Sequence, residues 1–366
     1  MSEWKEYKLG EVCSRLSSGK GIKSDSITTQ GKYPVWGGNG VRGYTDTSNF
    51  SGRCCIIGRQ GAYCGNVHFF EGDAYMTEHA VVAVGNELAD SYFLACQLSL
   101  MHLENLSAQS AQPGISVKTL STQTVCLPSI DTQRRIASIL TSLDDKIDLL
   151  RRENATLEAM AETLFRQWFV EEAKEDWEEG IVSDLIEFNP TRKLAKGSIA
   201  PFLEMSNLST STYAPTYWYN RTFSSGSKFQ NGDTLLARIT PCLENGKTAY
   251  VDFLNENQIG WGSTEFIVMH SKLGIHPFFS YVIAKYQDFR DYAESCMSGS
   301  SGRQRVDVDN LKNYPINIPD KITIVQFNNE IETMVSKMNN NNKQIQTLIQ
   351  TRDELLEKLM SNEINI

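Results

Sequence analysis

The sequence predicts a mixed α/β (α+β) chain: two similar units rich in short β-segments, each running into a long helix. Three observations carry that expectation. The chain repeats itself, the first part of each copy alternates short apolar runs with turn residues, and the second part switches to a sustained heptad pattern. At 366 residues there is room for two to three domains.

Trp4 opens WKEYKLGEV and Trp177 opens WEEGIVSDL, an offset of 173 residues, with Leu9 and Val12 matching Val182 and Leu185. Ile56-Ile57-Gly58-Arg59 matches Leu235-Leu236-Ala237-Arg238 at an offset of 179. Thr77-Glu78 matches Thr264-Glu265 at 187, and Val117, Leu120 and Pro128 match Val308, Leu311 and Pro319 at 191. The offset only grows, as loop insertions in the second copy require. Within each copy, CCIIG, AVVAV, TLLARI and EFIVM are short apolar runs bounded by turn residues, which is strand patterning. The VxxL segments at Val117 and Val308 read as further strands. SYFLACQLSLMHL and HPFFSYVIAKYQDF read as one helix per copy.

From residue 132 the period changes. Ile136, Leu140, Leu143, Ile147, Leu150, Leu157, Ala161, Leu164 and Trp168 follow steps of four and three, interrupted by Asn154. The distal copy gives Ile331, Val335, Met338, Ile345, Ile349, Leu356 and Leu359, interrupted by Asn342 and Arg352. A 3.5-residue repeat is a coiled-coil seam, and nearly 40 residues make a helix about 55–60 Å long. Neither helix can bury its stripe alone, and two of similar length can bury each other's. Antiparallel with matched ends, residue 136 faces 359 and Asn154 faces 341, beside Asn342. Asn154 and Asn342 are therefore expected to set the register, and leucine at 154 to strengthen the pair while blurring it. The alternative is that the NNNN run at 339–342 breaks the distal helix.

Forty per cent hydrophobic and 22% charged residues exclude a disordered chain, a fibre and a disulfide scaffold. No run approaches the 18 apolar residues of a membrane span. The polar opening MSEWKEYKLGEV shows no secretory signal, and eight cysteines without a CxxC pair read as reduced thiols, so a cytoplasmic location is expected. Lys+Arg 35 against Asp+Glu 44 gives a net charge of −9, which counts against an autonomous basic nucleic-acid binder.

No catalytic residue is expected. There is no GxxxxGK[ST] phosphate loop, and Asn189-Pro190-Thr191-Arg192 lacks the second proline and aromatic of an adenine methyltransferase tetrapeptide. Asp131 with Asp144, Asp145 and Lys146 imitates a nuclease motif but falls on the solvated face of a heptad helix. Cys55, Cys64 and His68, with His79 nearby, have no CxxC or HxxxH core, so no metal site is expected. Glu78-His79 reads as structural, because the second copy carries Glu265-Phe266.

What remains is recognition chemistry in the loop-rich halves. Copy one offers Lys20, Lys23, Arg42, Arg59, Gln60 and Tyr63, then Gln109 and Gln112 in SAQSAQPGIS. Copy two offers Arg192, Lys193, Arg238 and Lys247, then Arg303, Gln304 and Arg305 in a Ser/Gly loop. Arginine reads guanine edges, glutamine reads adenine edges, and lysine holds phosphates. The glutamine-bearing and arginine-bearing loops fall at equivalent places, a few residues before each VxxL segment. That equivalence sets them apart from scattered surface charges.

At these residues the sequence resembles the specificity subunit of type I restriction-modification systems. The likeness rests on YPVWGGNGVRGYTD, IIGRQGAYCG and YMTEHAVVAV in copy one, and on FQNGDTLLARITPCLENGKTA, GSTEFIVM and SGSSGRQRV in copy two. VCLPSIDTQRRIASIL and YPINIPDKITIVQF, which lead into the long helices, extend it over nearly the whole chain. The proline-to-glutamine spacing differs, five residues from Pro128 to Gln133 and seven from Pro319 to Gln326.

The resemblance implies two target recognition domains, each a twisted mixed β-sheet with short helices, joined by a pair of long antiparallel coiled-coil helices. The corresponding boundaries are 1–130 and 176–320 for the domains, with 131–175 and 321–366 for the central and distal spacer helices. It implies that the chain reads a bipartite, asymmetric sequence in double-stranded DNA and scaffolds two methyltransferase (modification) subunits and the restriction (motor-nuclease) subunits. S-adenosylmethionine, ATP and magnesium then belong to those partners, with no cofactor in this chain. The alternative is a non-enzymatic coiled-coil scaffold with β-rich ligand-binding domains.

Overall fold

Unbroken apolar runs such as CCIIG call for a sheet covered on both faces, because successive strand side chains point to opposite sides. The structure, a computed structural model, describes residues 4–61, 63–107, 114–300, 302–361 and 363–364. It contains two compact units, Met1–Ile147 with Thr347–Ile366, and Asp148–Gln346. The division falls inside both long helices, the central helix Ile130–Arg166 and the distal helix Lys321–Met360, so each unit holds part of each.

In the first unit six strands lie in the order Cys13–Ser18, Ala80–Gly85, Phe50–Gly58, Val67–Met76, Tyr33–Gly37, Gly40–Thr45. Neighbours are antiparallel except Tyr33–Gly37, which runs parallel to the end of Val67–Met76. Cys55, Ile57, Val81 and Ala83 share one core with Phe93, Leu94 and Leu98 of the helix Ser91–Ser99, and with Ile136, Leu140 and Leu359 of the long helices. Cys54, Ile56, Ala80 and Val82 belong to a separate core with Met76, Phe50 and Trp36. A strand pair, Lys5–Lys8 with Thr124–Leu127, precedes the central helix.

The second unit follows the same path with shorter strands. Ile186–Phe188, Phe266–Ser271, Asp233–Ala237 and Thr248–Tyr250 form one sheet in the order of the first four strands above. Tyr219–Thr222, Ile199–Leu203, Gly260–Gly262 and Ser227–Phe229 form another, in which Ile199–Leu203 is parallel to Gly260–Gly262. The pair Glu178–Ile181 with Pro315–Ile318 matches Lys5–Lys8 with Thr124–Leu127. Leu236, Ile267 and Met269 pack with Phe278, Phe279, Tyr281 and Val282, while Leu235, Val268 and Ala249 belong to a second core. The repeat in sequence is a repeat in topology.

Two expectations change and one alternative falls away. The VxxL segments are short helices, Val117–Ser121 and Val308–Leu311, not strands. Ser116 accepts from the Thr119 N–H at 2.9 Å and Asp307 from the Asp309 N–H at 3.0 Å, and these N-caps override a four-residue apolar pattern. The counterpart of Gln133 is Asn328; Gln326 is exposed. Gln133 accepts from the Asp90 N–H at 2.9 Å and donates to the Leu88 carbonyl at 2.8 Å. Asn328 accepts from the His276 N–H at 2.8 Å and donates to the Gly274 carbonyl at 2.8 Å. Each amide thereby ties down the turn ahead of its unit's buried helix. Finally, the asparagine run interrupts nothing, since the distal helix is continuous.

The buried stripe of the central helix also departs from a strict heptad. Beyond Asn154 it runs through Glu158, Ala161 and Phe165 to Phe169 in the π-turn Gln167–Glu171, while Leu157, Leu164 and Trp168 are half-buried. There the helix packs on Phe279 and Tyr286 of its unit as well as on the distal helix, which widens the stripe.

Asn341, at 1% exposed, takes the most buried asparagine position, and Asn342 is half-buried. Asn154 accepts from Asn341 and donates to Asn342, both at 2.9 Å, and Asn342 donates to the Tyr213 hydroxyl at 2.5 Å. The Tyr213 N–H donates to Glu158 at 3.0 Å, and the Tyr281 hydroxyl donates to the same carboxylate. In the first unit the Tyr92 hydroxyl donates to Asp144 at 2.5 Å and Arg352 Nη1 to the same side chain at 3.0 Å. Asp144 and Glu158 lie 14 residues apart, two heptads along one helix.

Candidate nucleic-acid interface

In the first unit, loops from five parts of the chain converge where strands end. Gly19 donates its N–H to the Ala80 carbonyl and Lys20 to that of Met76, at 3.0 and 2.9 Å. The Arg59 N–H donates to the His79 carbonyl at 3.0 Å, and the Ile115 N–H to the Arg59 carbonyl at 2.9 Å. The approach requires glycine: a Cβ on Gly58 would lie 2.4 Å from the Tyr63 carbonyl oxygen and 2.5 Å from that of Gly38. Arg42 lies across Gly37, whose Cβ would meet its Cδ at 2.7 Å. Lys20, Arg42, Gln60 and Tyr63 are exposed on this convergence. Arg59 is half-buried and donates to the Ser18 hydroxyl at 3.3 Å. Lys23 is exposed a few residues beyond, and Gln109 and Gln112 lie outside the described residues.

The second unit builds the same framework. The Arg238 N–H donates to the Glu265 carbonyl at 2.9 Å, and the Val306 N–H to the Arg238 carbonyl at 2.9 Å. By this register Glu265 is the counterpart of His79, and Arg305 of Gly114. The sequence pairing of His79 with Phe266 is therefore corrected by one residue: Ala80 faces Gly58 as Phe266 faces Ala237. Gln304 and Thr240 exchange hydrogen bonds at 3.1 Å, which fixes the arginine-bearing loop on the turn after Arg238.

The same geometry separates the candidate cations. Arg192 is a structural residue, not a free contact. It donates to Asp233 through Nη2 at 2.6 Å and Nε at 3.3 Å, and Asp233, with a side chain 0% exposed, needs a compensating charge. Asp233 begins the strand that Arg238 follows, so Arg192 and its neighbour Lys193 sit about 16 Å along that strand from the loops around Arg238. Lys247 spends its ammonium on the carbonyls of Met205 and Ser206, at 2.9 and 3.4 Å. Arg238 Nε donates to the Val306 carbonyl at 3.0 Å, and Arg305 forms a fork with Glu265. The Arg303 N–H donates to the Ser300 carbonyl at 3.0 Å, and its exposed side chain has no hydrogen-bond or ion-pair partner among the described residues.

Sequence reasoning passed over Glu265 and His79 as partners of the candidate readers. Their only signal was the repeated Thr-Glu, visible as a repeat but not as a contact. Cys55 is buried in the sheet core, which pushes its thiol well above the usual range, and Cys64 donates to the Arg59 carbonyl at 3.2 Å. Among the described residues no helix is long and apolar enough to cross a membrane.

A family model described as the type I restriction modification DNA specificity domain matches residues 1–159 and again 174–355. The chain is 38% identical over 152 residues to the type I restriction enzyme EcoprrI specificity subunit of Escherichia coli, covering 40% of this chain and 37% of that one. It is 22% identical over 291 residues to the MjaIX specificity subunit of Methanocaldococcus jannaschii, covering 72% of this chain and 66% of that one. These alignments thus span less than two thirds of the relatives' own length. A crystal structure of the type I restriction-modification S subunit from M. genitalium is similar with a TM-score of 0.60 at 17% identity, over 98% of this chain and 96% of that one. At such identity the likeness speaks for the fold alone.

Proposed function

The chain belongs to the type I restriction-modification DNA specificity family, and on that premise we propose that it is the non-catalytic sequence reader of a modification and restriction assembly. Each unit reads one half of a bipartite, asymmetric duplex target. The observation that carries this reading is one framework built twice with different side chains on its converging loops: Gln60, His79 and Gly114 in one unit, Ile239, Glu265 and Arg305 in the other. A symmetric dimer reads a palindrome, whereas two unlike readers in one polypeptide read two unlike words. Loops carry the specificity and the shared sheets hold them.

The paired helices set the gap between the words and dock two methyltransferase subunits, which the restriction subunits join in the cytoplasm. S-adenosylmethionine, ATP and magnesium act on those partners. A chain of net charge −9 binds DNA tightly only when partners complete the channel.

The test is titration of the purified chain with duplex DNA at two salt concentrations, with and without the methyltransferase subunits. A steep salt dependence that emerges only with the partners is expected, because neutralised phosphates release counterions. No DNA affinity in either state would refute the reading.

A further inference from the structure

We propose that Glu265 is a positioning residue that holds Arg305 edge-on, so that the free end of its guanidinium reads a guanine in the word of the second unit. This rests on the sequence-reader function above and adds to it the base and the orienting group.

The geometry divides the guanidinium into two edges. Arg305 Nε donates to Glu265 Oε1 and Oε2 at 2.9 and 3.0 Å, and Nη2 donates to Oε1 at 2.8 Å. That engages the side edge. Nη1 has no hydrogen-bond partner among the described residues, and its N–H together with the outer N–H of Nη2 forms a second, parallel pair of donors. Such a fork matches guanine O6 and N7 in the major groove. The side chain of Arg305 is 46% exposed and that of Glu265 22%, so the pair is open at the arginine end.

The backbone beneath is held. Arg305 bridges to Ile239, the Val306 N–H is bonded to the Arg238 carbonyl, and Gln304 is bonded to Thr240. A long side chain rooted in fixed backbone and clamped by a carboxylate loses little rotamer freedom on meeting a base, which is preorganisation.

The first unit supports the assignment by contrast. On the same framework Gly114 stands at the position of Arg305 and bridges to Gln60. His79, at the position of Glu265, has its Nδ1 3.2 Å from Gln60 Oε1. An amide oxygen only accepts, so His79 donates there and the Gln60 NH2 keeps no hydrogen-bond partner among the described residues. At these matched positions the second unit presents a guanidinium fork and the first the Gln60 amide. A guanine contact from this position therefore belongs to the word of the second unit.

The experiment co-expresses the full chain with its modification subunits in a host lacking other DNA methylation. Methylated sites are then read by single-molecule sequencing for the wild type, R305A, R305K, E265Q and E265A. The wild type is expected to show a bipartite word with a fixed guanine in one half. R305A and R305K should each lower the preference for guanine there by about 5- to 150-fold, since lysine keeps the charge and lacks the fork. E265Q should relax the same position to a smaller degree, with every other position unchanged.

A purely structural pair would instead lower methylation equally at all sites in E265Q and R305A, and that outcome overturns the proposal. So does relaxation at different positions in the two variants, or a second word without guanine. If E265A fails to fold, the E265Q and R305K comparison still decides. A wild-type chain that directs no bipartite methylation would bring down the reader function itself, and the proposal with it.

Discussion

Among the candidate arginines, what a side chain touches decides what its loss will do. Arg192 answers a carboxylate that is 0% exposed, with His270 as the second partner at 2.8 Å. R192A should destabilise the second unit by about 3 kcal/mol, the lower end of the cost of breaking a buried ion pair, because His270 and the Gln230 N–H stay on the carboxylate, as measured by urea unfolding. Its DNA word should be unchanged in methylation mapping. The Arg303 side chain has no orienting group among the described residues, so it suits a phosphate. R303A should weaken binding to all sequences alike and reduce the slope of log K against log salt by about 1 in titrations with the partner subunits present.

Glu158 supplies a pH signature. Burial pushes its carboxyl above the usual range, against the opposing pull of the Tyr281 hydroxyl and Lys285. The folded chain then holds this proton more tightly than the unfolded one. The associated stability is present in acid and is lost as pH rises from about 4.3 through the raised value. E158Q should shrink the difference in unfolding free energy between pH 5 and pH 8, and an unchanged difference would exclude Glu158 as its source.

At the level of elements, the asparagine cluster reverses an expectation drawn from the heptads. Asn154 on its own is a polar interruption whose removal ought to strengthen the helix pair. In the fold it accepts from Asn341 and donates to Asn342. N154L would leave the Asn342 oxygen without that donor and take one of two acceptors from Asn341, which also donates to Glu153 at 2.9 Å. A loss of about 1–3 kcal/mol is expected for N154L. The double variant N154L/N341L should recover part of it, because removing both partners spares the desolvation penalty. Thermal melting of the three proteins checks this, and a stabilised N154L would restore the simpler view.

For the whole molecule, the helices are proposed to set the distance between the two words. Seven helical residues span about 10 Å, close to the rise of three base pairs. Paired deletion of 145–151 and 344–350 spares Asp144 with its Tyr92 and Arg352 contacts, and also the asparagine cluster. Methylation mapping should then return both words unaltered, with the gap shortened by about three base pairs. An unchanged gap would refute the ruler.

Local patterns were enough to reveal the duplication, the apolar strands and the two long helices, because strand and helix periodicities are properties of neighbouring residues. The same patterns brought Asn154 opposite 341, since an antiparallel pair of matched helices leaves one pairing. Contacts between distant segments stayed hidden until the chain was folded. Nothing near Arg192 announces Asp233, nothing near Lys247 announces the carbonyls of Met205 and Ser206, and the amide matching Gln133 lies two residues past the glutamine that a sequence comparison selects. Which arginines are free to meet DNA depends on those partners. Charge and hydrogen-bonding capacity are written in the residue, but whether they are already satisfied is decided by what tertiary packing brings within about 3 Å.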